Sequence, residues 1–342
     1  MLQINEYLLI AATVFVILSF VTYLVVISAA RRTPRRQPAK APVAVAVGAA
    51  GLAETVDEAG DALHLGGEDD GDDVPLPGGV AGVAVMDDLA DLDDETIAPR
   101  PKTKTDKAPL NVSTFATGFS VVALVLLTAY LGIRMLLTGH GPFSNMHEFA
   151  VSFVWGILLA YLVTLWRFKI RMLALAVLPV AGALLVYATQ TDSGIAPLVP
   201  ALQNNLLLTL HVGFAILSYG AACVSFGAAA LYLIYPRLKL KTPRDLFDEI
   251  GYKAAVVAFP LMTIMILLGA LWARTAWGSY WSWDPKEVAA LVTWLFYAAY
   301  LHARVVFGWR GTRSSVLLIV GFAAVMFAYF GNYFLGGLHS YK

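Results

Sequence analysis

Eight long apolar runs dominate the chain, over about residues 7–30, 115–137, 148–166, 171–189, 205–235, 251–273, 287–307 and 314–335. At a rise of 1.5 Å per helical residue, each is long enough to cross a hydrocarbon layer of roughly 30 Å. With 58% of its 342 residues hydrophobic and only 14% charged, the chain is too apolar for a soluble protein of two ordinary domains. The runs predict an all-α polytopic membrane protein of about eight transmembrane helices.

Positive charge orients these helices. The first run ends in RRTPRRQPAK, a cluster assigned to the cytoplasm because inner loops carry the excess of Lys and Arg. Alternating sides from there puts nine such residues from Arg31 to Lys107, three from Arg167 to Arg171, five from Arg237 to Lys253 and three from Arg304 to Arg313 inside. Only Arg134, Arg274, Lys286 and Lys342 fall outside. Twenty against four predicts both termini on the outer, extracytoplasmic face. MLQINEYLLI lacks the positive start of a signal peptide, so residues 1–30 read as a retained transmembrane anchor.

Residues 31–110 differ in kind from the rest. They are rich in Pro, Gly, Ala and Asp, nearly devoid of aromatics, and hold acidic blocks such as EDDGDD; 16 of the 24 acidic residues lie between Glu54 and Asp106. Such a segment cannot bury enough apolar surface to offset its ordering entropy and is expected to be a disordered cytoplasmic linker, with His64 a solvated residue in it. The formal net charge of zero is a balance of opposites and identifies no partner; nucleic acid is not expected. Residues 111–342 are then a seven-helix domain. The lone Cys223 lies in an apolar run, which excludes a disulfide framework, a CxxC redox pair and a thiolate metal cluster.

Between the sixth and seventh runs stands WGSYWSWDPKE, Trp277 to Glu287, with Trp272 just upstream. An interfacial belt takes one or two aromatic residues per helix end; Trp277, Trp281 and Trp283 in one short segment offer flat faces to a large planar ligand. Pro285 and Glu287 read as the first turn of the next helix. Small residues recur in FGAAALY (226–232) and FYAAY (296–300), where they let helices approach or leave space for a ligand; the two uses stay open.

The topology gives each histidine a depth. His211 lies about 9 Å below the outer start of the fifth run and His339 just beyond the last, so both share a side with the tryptophans. His302 lies about 22 Å down from Glu287, where an ionisable residue is costly and marks either a function or a helix-packing bond. Ala298 and Ala299 leave room on its face. His140 and His147 flank GPFSNM in an outer loop and read as loop histidines.

The tryptophan segment resembles the WWD signature of a membrane haem-handling family. The similarity continues into YLHARVVFGWRG (300–311), GGLHSY (336–341) and LLLTLHVGFAILSYG (206–220), and so spans roughly residues 110 to 342. Its nearest form is the CcsA/ResC-type component of a two-protein cytochrome c synthase. The resemblance implies haem b as substrate, with His211 and His339 as axial ligands, Trp277, Trp281 and Trp283 covering the macrocycle, and Arg274 or Lys286 meeting the propionates. Asp284 would orient an indole N–H or a ligand histidine. The reaction implied is haem lyase chemistry: haem vinyl groups become bonded to the CxxCH thiols of apocytochrome c on the outer face. No residue reads as a nucleophile, because the attacking thiols belong to the substrate and other proteins keep them reduced. His302 would mark an earlier station, its second ligand supplied by a ResB-like membrane partner. The plasma membrane of a bacterium is the expected location. Two rival classes are a haem exporter or chaperone without ligation activity and a b-type electron-transfer subunit, which pairs intramembrane histidines around fixed haems.

Overall fold

The computed structural model describes residues 2–32, 112–194, 205–238, 242–331 and 334–339. The expected linker, with His64, lies outside them. Eight membrane-length helices stand among the described residues: α1 (Leu2–Arg32), α2 (Val112–Thr138), α3 (Met146–Phe168), α4 (Ala174–Gln190), α5 (Asn205–Leu238), α6 (Arg244–Trp277), α7 (Pro285–Val306) and α8 (Thr312–Phe330). No strand occurs among them. A 3₁₀ turn, Arg171–Leu173, leads into α4.

Three boundaries differ from the hydropathic expectation by five residues or more, the first being α1, which starts at Leu2 rather than 7. α6 starts at Arg244, before the expected 251, because its first turns carry Asp245, Asp248 and Glu249. At 34 residues, or about 51 Å, α6 is longer than the apolar layer. α8 ends at Phe330 rather than 335, in a stretch punctuated by Gly331, Gly336 and Gly337.

α1 is more than an isolated anchor. Ser19 donates to the Ala116 carbonyl at 2.7 Å and lies 2.8 Å from the Ser120 hydroxyl, while Tyr23 and Thr117 hydroxyls meet at 2.7 Å. Such bonds hold helices together in lipid, where apolar burial offers little drive. α3 and α5 cross at two glycines. A Cβ on Gly220 would collide with the Gly156 carbonyl oxygen, and one on Gly156 would lie 2.5 Å from the Ile216 carbonyl oxygen. Backbone cannot move aside as a side-chain tip can. Gly220→Ala is therefore expected to cost about 1–3 kcal/mol through overpacking and to lower the melting midpoint of the purified protein. Gly213→Ala, on the same helix but with nothing within 4 Å of its Cβ, is expected to leave it unchanged.

A buried ion pair braces each end of the bundle. Arg134 of α2 meets Glu148 of α3 at 2.5 Å, and Arg304 of α7 meets Asp248 of α6 at 2.6 Å. Asp248 also accepts from the Gly311 amide at 3.0 Å, tying down the α7–α8 turn. A second apolar cluster of Phe143, Leu208, Val212 and Trp272 lies against the α2–α3 loop. It joins the ends of α5 and α6 at the end of the bundle where the tryptophan segment sits.

Candidate functional site

The segment joining α6 to α7 is shaped by Glu287 and Asp284. Glu287 Oε2 accepts from the Ser282 amide at 2.9 Å and the Asp284 amide at 3.1 Å; Asp284 Oδ2 accepts from the Lys286 amide at 3.0 Å. This is a reciprocal capping box with Pro285 at the first helical position, so α7 begins where the Pro285–Glu287 pattern predicts. Trp283, held between these bonds, takes φ +58°, a left-handed conformation costing a bulky residue about 1–3 kcal/mol.

Asp284 does more than cap. Its Oδ1 accepts from the Leu338 amide at 2.5 Å and its Oδ2 from His339 Nδ1 at 2.7 Å. The chain after α8 thereby docks onto the start of α7. A Cβ on Gly337 would run into Asp284 Oδ1, so glycine is required for this approach. Burial tends to raise the Asp284 pKa, but the His339 hydrogen bond and the two backbone amides prevail and hold it at about 2. Burial also pushes His339 below its usual value, against the opposing pull of Asp284. The pair is thus a carboxylate and a neutral imidazole. With the proton on Nδ1, Nε2 carries the lone pair.

His211 is set up the same way by a different acceptor. Its Nδ1 lies 2.8 Å from the Met265 carbonyl, an acceptor only, so Nδ1 donates and Nε2 is again the basic nitrogen. Trp272, 2% exposed, contacts both histidines. Its ring is parallel to His211 within 6° at 6.4 Å between centroids, and 6.0 Å from His339. Trp277 packs edge-on against both Trp272 and His339, each at 4.7 Å.

These residues line a cavity of about 440 Å³, within the range of pockets for sizeable organic ligands. Its wall takes in Phe149 and Phe153 of α3, Tyr219 of α5, Trp281, Lys286 and Tyr329 of α8. Lys286 places its ammonium 5.1 Å from the centre of the Phe149 ring and is the cation of the lining. Among the described residues no three His, Cys, Asp or Glu side chains converge as a metal-binding group. A pair of imidazoles facing one aromatic cavity instead matches an iron whose four equatorial positions a macrocycle already fills.

The predicted residues thus divide by position. His211, His339, Trp277, Trp281 and Lys286 line one cavity. Asp284 stands behind His339 rather than in the wall. Trp283 is 71% exposed and Arg274 is also exposed; neither lines the cavity. Arg274 donates to the Gly278 carbonyl at the end of α6 and lies 5.7 Å from the Tyr280 ring centre. His302 is exposed on α7, its ring edge-on to Phe307 at 5.4 Å. His147 donates from Nδ1 to the Ala188 carbonyl and accepts from the Tyr130 hydroxyl at 2.6 Å; His140 lies 2.8 Å from the Gly141 carbonyl. Both behave as structural histidines. Trp272 and the α3 phenylalanines carry no motif that marks them, although Met265, Gly269, Trp272 and Ala276 fall on one stripe of α6.

Residues 143–339 match the model of a family described as Cytochrome C assembly protein. The chain belongs to this family. The match begins in the loop before α3 and ends on His339, taking in every segment that lines the cavity. Among curated relatives, the cytochrome c biogenesis protein CcsA of Guillardia theta is 35% identical over 261 residues, 68% of this chain and 86% of the relative. CcsA of Trieres chinensis is 36% identical, covering 68% and 87%. CcsA of Microcystis aeruginosa is 35% identical, covering 68% and 88%. This chain is therefore a CcsA-type cytochrome c biogenesis protein, with eight helices long and apolar enough to cross a membrane.

Proposed function

We propose that the chain holds haem b between His211 and His339 and presents it for covalent attachment to apocytochrome c. The observation that carries this reading is the convergence of two histidines, each with Nδ1 in a hydrogen bond, on an aromatic cavity with Lys286 in its wall. Bound haem supplies the electrophilic vinyl carbons. Each substrate thiol adds across a vinyl C=C: sulfur bonds to one carbon, the thiol proton ends on the other, and no oxidant is consumed. The chain's contribution is positioning. His211 and His339 fix the macrocycle along its axis, Trp277 and Trp281 flank it, and Lys286 meets a propionate. Arg274, outside the cavity wall, is the weaker candidate for that role.

The positive-inside count supports an orientation with both termini, the cavity and the tryptophan segment on the extracytoplasmic face of a bacterial plasma membrane. Residues 31–110 are then an acidic cytoplasmic linker. His302, exposed on α7 and making no hydrogen bond to the described residues, suits a haem station completed by a ResB-like membrane partner. A b-type electron-transfer subunit would need paired histidines at that depth.

Purified complex of this chain with its partner tests the reading when mixed with haem and a reduced CxxCH apocytochrome. Haem that stays on the cytochrome through denaturing electrophoresis is expected; haem bound but never transferred would point to an exporter or chaperone instead. In the same complex, His302→Ala is expected to lower the haem content as isolated. Unchanged content would make His302 a lipid-facing residue without that role.

A further inference from the structure

Three residues of α6, at i, i+4 and i+7, meet the His211 ring. Met265 offers its carbonyl to Nδ1, Trp272 lies parallel to the imidazole, and Gly269 stands between them. A Cβ on Gly269 would lie 2.7 Å from His211 Cε1 and 2.9 Å from Nδ1, distances that real side chains do not tolerate. In a helix the Met265 carbonyl already accepts from the residue-269 amide. Its second lone pair is the one the imidazole uses, and the ring reaches it only where no side chain stands at 269.

A membrane-helix glycine commonly serves close helix packing, as Gly156 and Gly220 do here, with neighbouring backbone against them. Gly269 is different, because its three nearest atoms all belong to the His211 ring. We infer that Gly269 is a positioning residue for His211: the bare backbone seats the imidazole against α6, fixes its proton on Nδ1 and turns Nε2 toward the cavity. This rests on the reading of His211 as an iron ligand. It adds that the helix opposite the histidine, through the absence of a side chain, sets the ligand's direction.

The test is the absorption and electron paramagnetic resonance of haem in purified Gly269→Ala, His211→Ala and Gly213→Ala proteins. Gly269→Ala is expected to lose the low-spin signature of two imidazole ligands to the extent that His211→Ala does. Gly213→Ala, with open space at its Cβ, should keep it. A folded Gly269→Ala protein with the parent spectrum, beside a changed His211→Ala, would overturn the role of Gly269 while leaving the ligand reading intact. An unchanged His211→Ala spectrum would overturn both. If Gly269→Ala fails to accumulate, the Gly269→Ala/His211→Ala protein decides: removing the ring removes the clash, so accumulation should return to the His211→Ala level. No recovery would mean that Gly269 serves helix packing.

Discussion

Replacing His211 and His339 together by alanine is expected to abolish cytochrome c assembly and to strip haem from the cavity, the largest effect of any change considered. Losing even a group that orients a metal ligand typically costs about 10–100-fold in affinity; losing both ligands leaves only the aromatic walls and Lys286. Each single variant should keep one ligand and the cavity. Added imidazole then restores attachment in part, since the space left by the ring is bounded by Trp272 and Gly269 for His211 and by Trp277 for His339. Yield of covalent haem on a co-expressed apocytochrome, with and without imidazole, measures this. Unimpaired yield from the double variant would remove the site.

The second large effect is expected at Asp284, where one carboxylate does three tasks. It caps α7 through the Lys286 amide, docks the C-terminal segment through the Leu338 amide, and fixes the His339 tautomer. Asp284→Ala should weaken haem binding by about 10–100-fold and cost about 0.5–2 kcal/mol from the lost cap. Asp284→Asn separates these tasks. Asparagine caps well, but with the Lys286 amide on its one acceptor oxygen it cannot also serve both Leu338 and His339, which the two carboxylate oxygens do. Stability near that of the parent with weakened haem binding is expected.

The docked segment has a predictable acid response. Docking holds His339 below its usual 6.5, so below pH 6.5 the released segment takes up a proton that the docked one resists, and docking weakens as pH falls. Asp284 contributes fully above 3.8, and its contribution is lost as pH falls through about 2. Release therefore begins with His339, and Asp284 adds only in strong acid. Protection of the Leu338 amide against hydrogen exchange, taken relative to its intrinsic rate at each pH from 7 to 3, should fall from just below 6.5; an onset confined to pH below 4 would assign control to Asp284 instead.

Helix number and the common side of two candidate histidines were legible because hydropathy and depth are one-dimensional properties. Eight apolar runs became eight helices, and His211 and His339, assigned to one side by counting residues, line one cavity. Direction around a helix axis is harder to read. Depth placed His302 well along α7, but only packing reveals that it faces outward. Trp283 and Arg274 belong to the right segment and yet point away from the cavity, Trp283 because the Glu287 bonds on either side hold its backbone left-handed. Least legible were roles carried by something other than a side chain: the Met265 carbonyl and the missing Cβ of Gly269 leave no chemical signature in a sequence. Trp272 was visible as a letter, but its contact with both histidines depends on how α5, α6 and the docked C-terminus meet.

Under the proposed function, His211 and His339 hold one iron from its two sides. Electron paramagnetic resonance of the purified, haem-loaded protein in three forms tests it most directly: parent, His211→Gly and His339→Gly, each before and after imidazole addition. A low-spin signal in the parent, high-spin in both variants and low-spin again with imidazole is the predicted result. Two variants that keep the parent's low-spin signal without imidazole would contradict it, because the iron would then be held by residues outside this cavity.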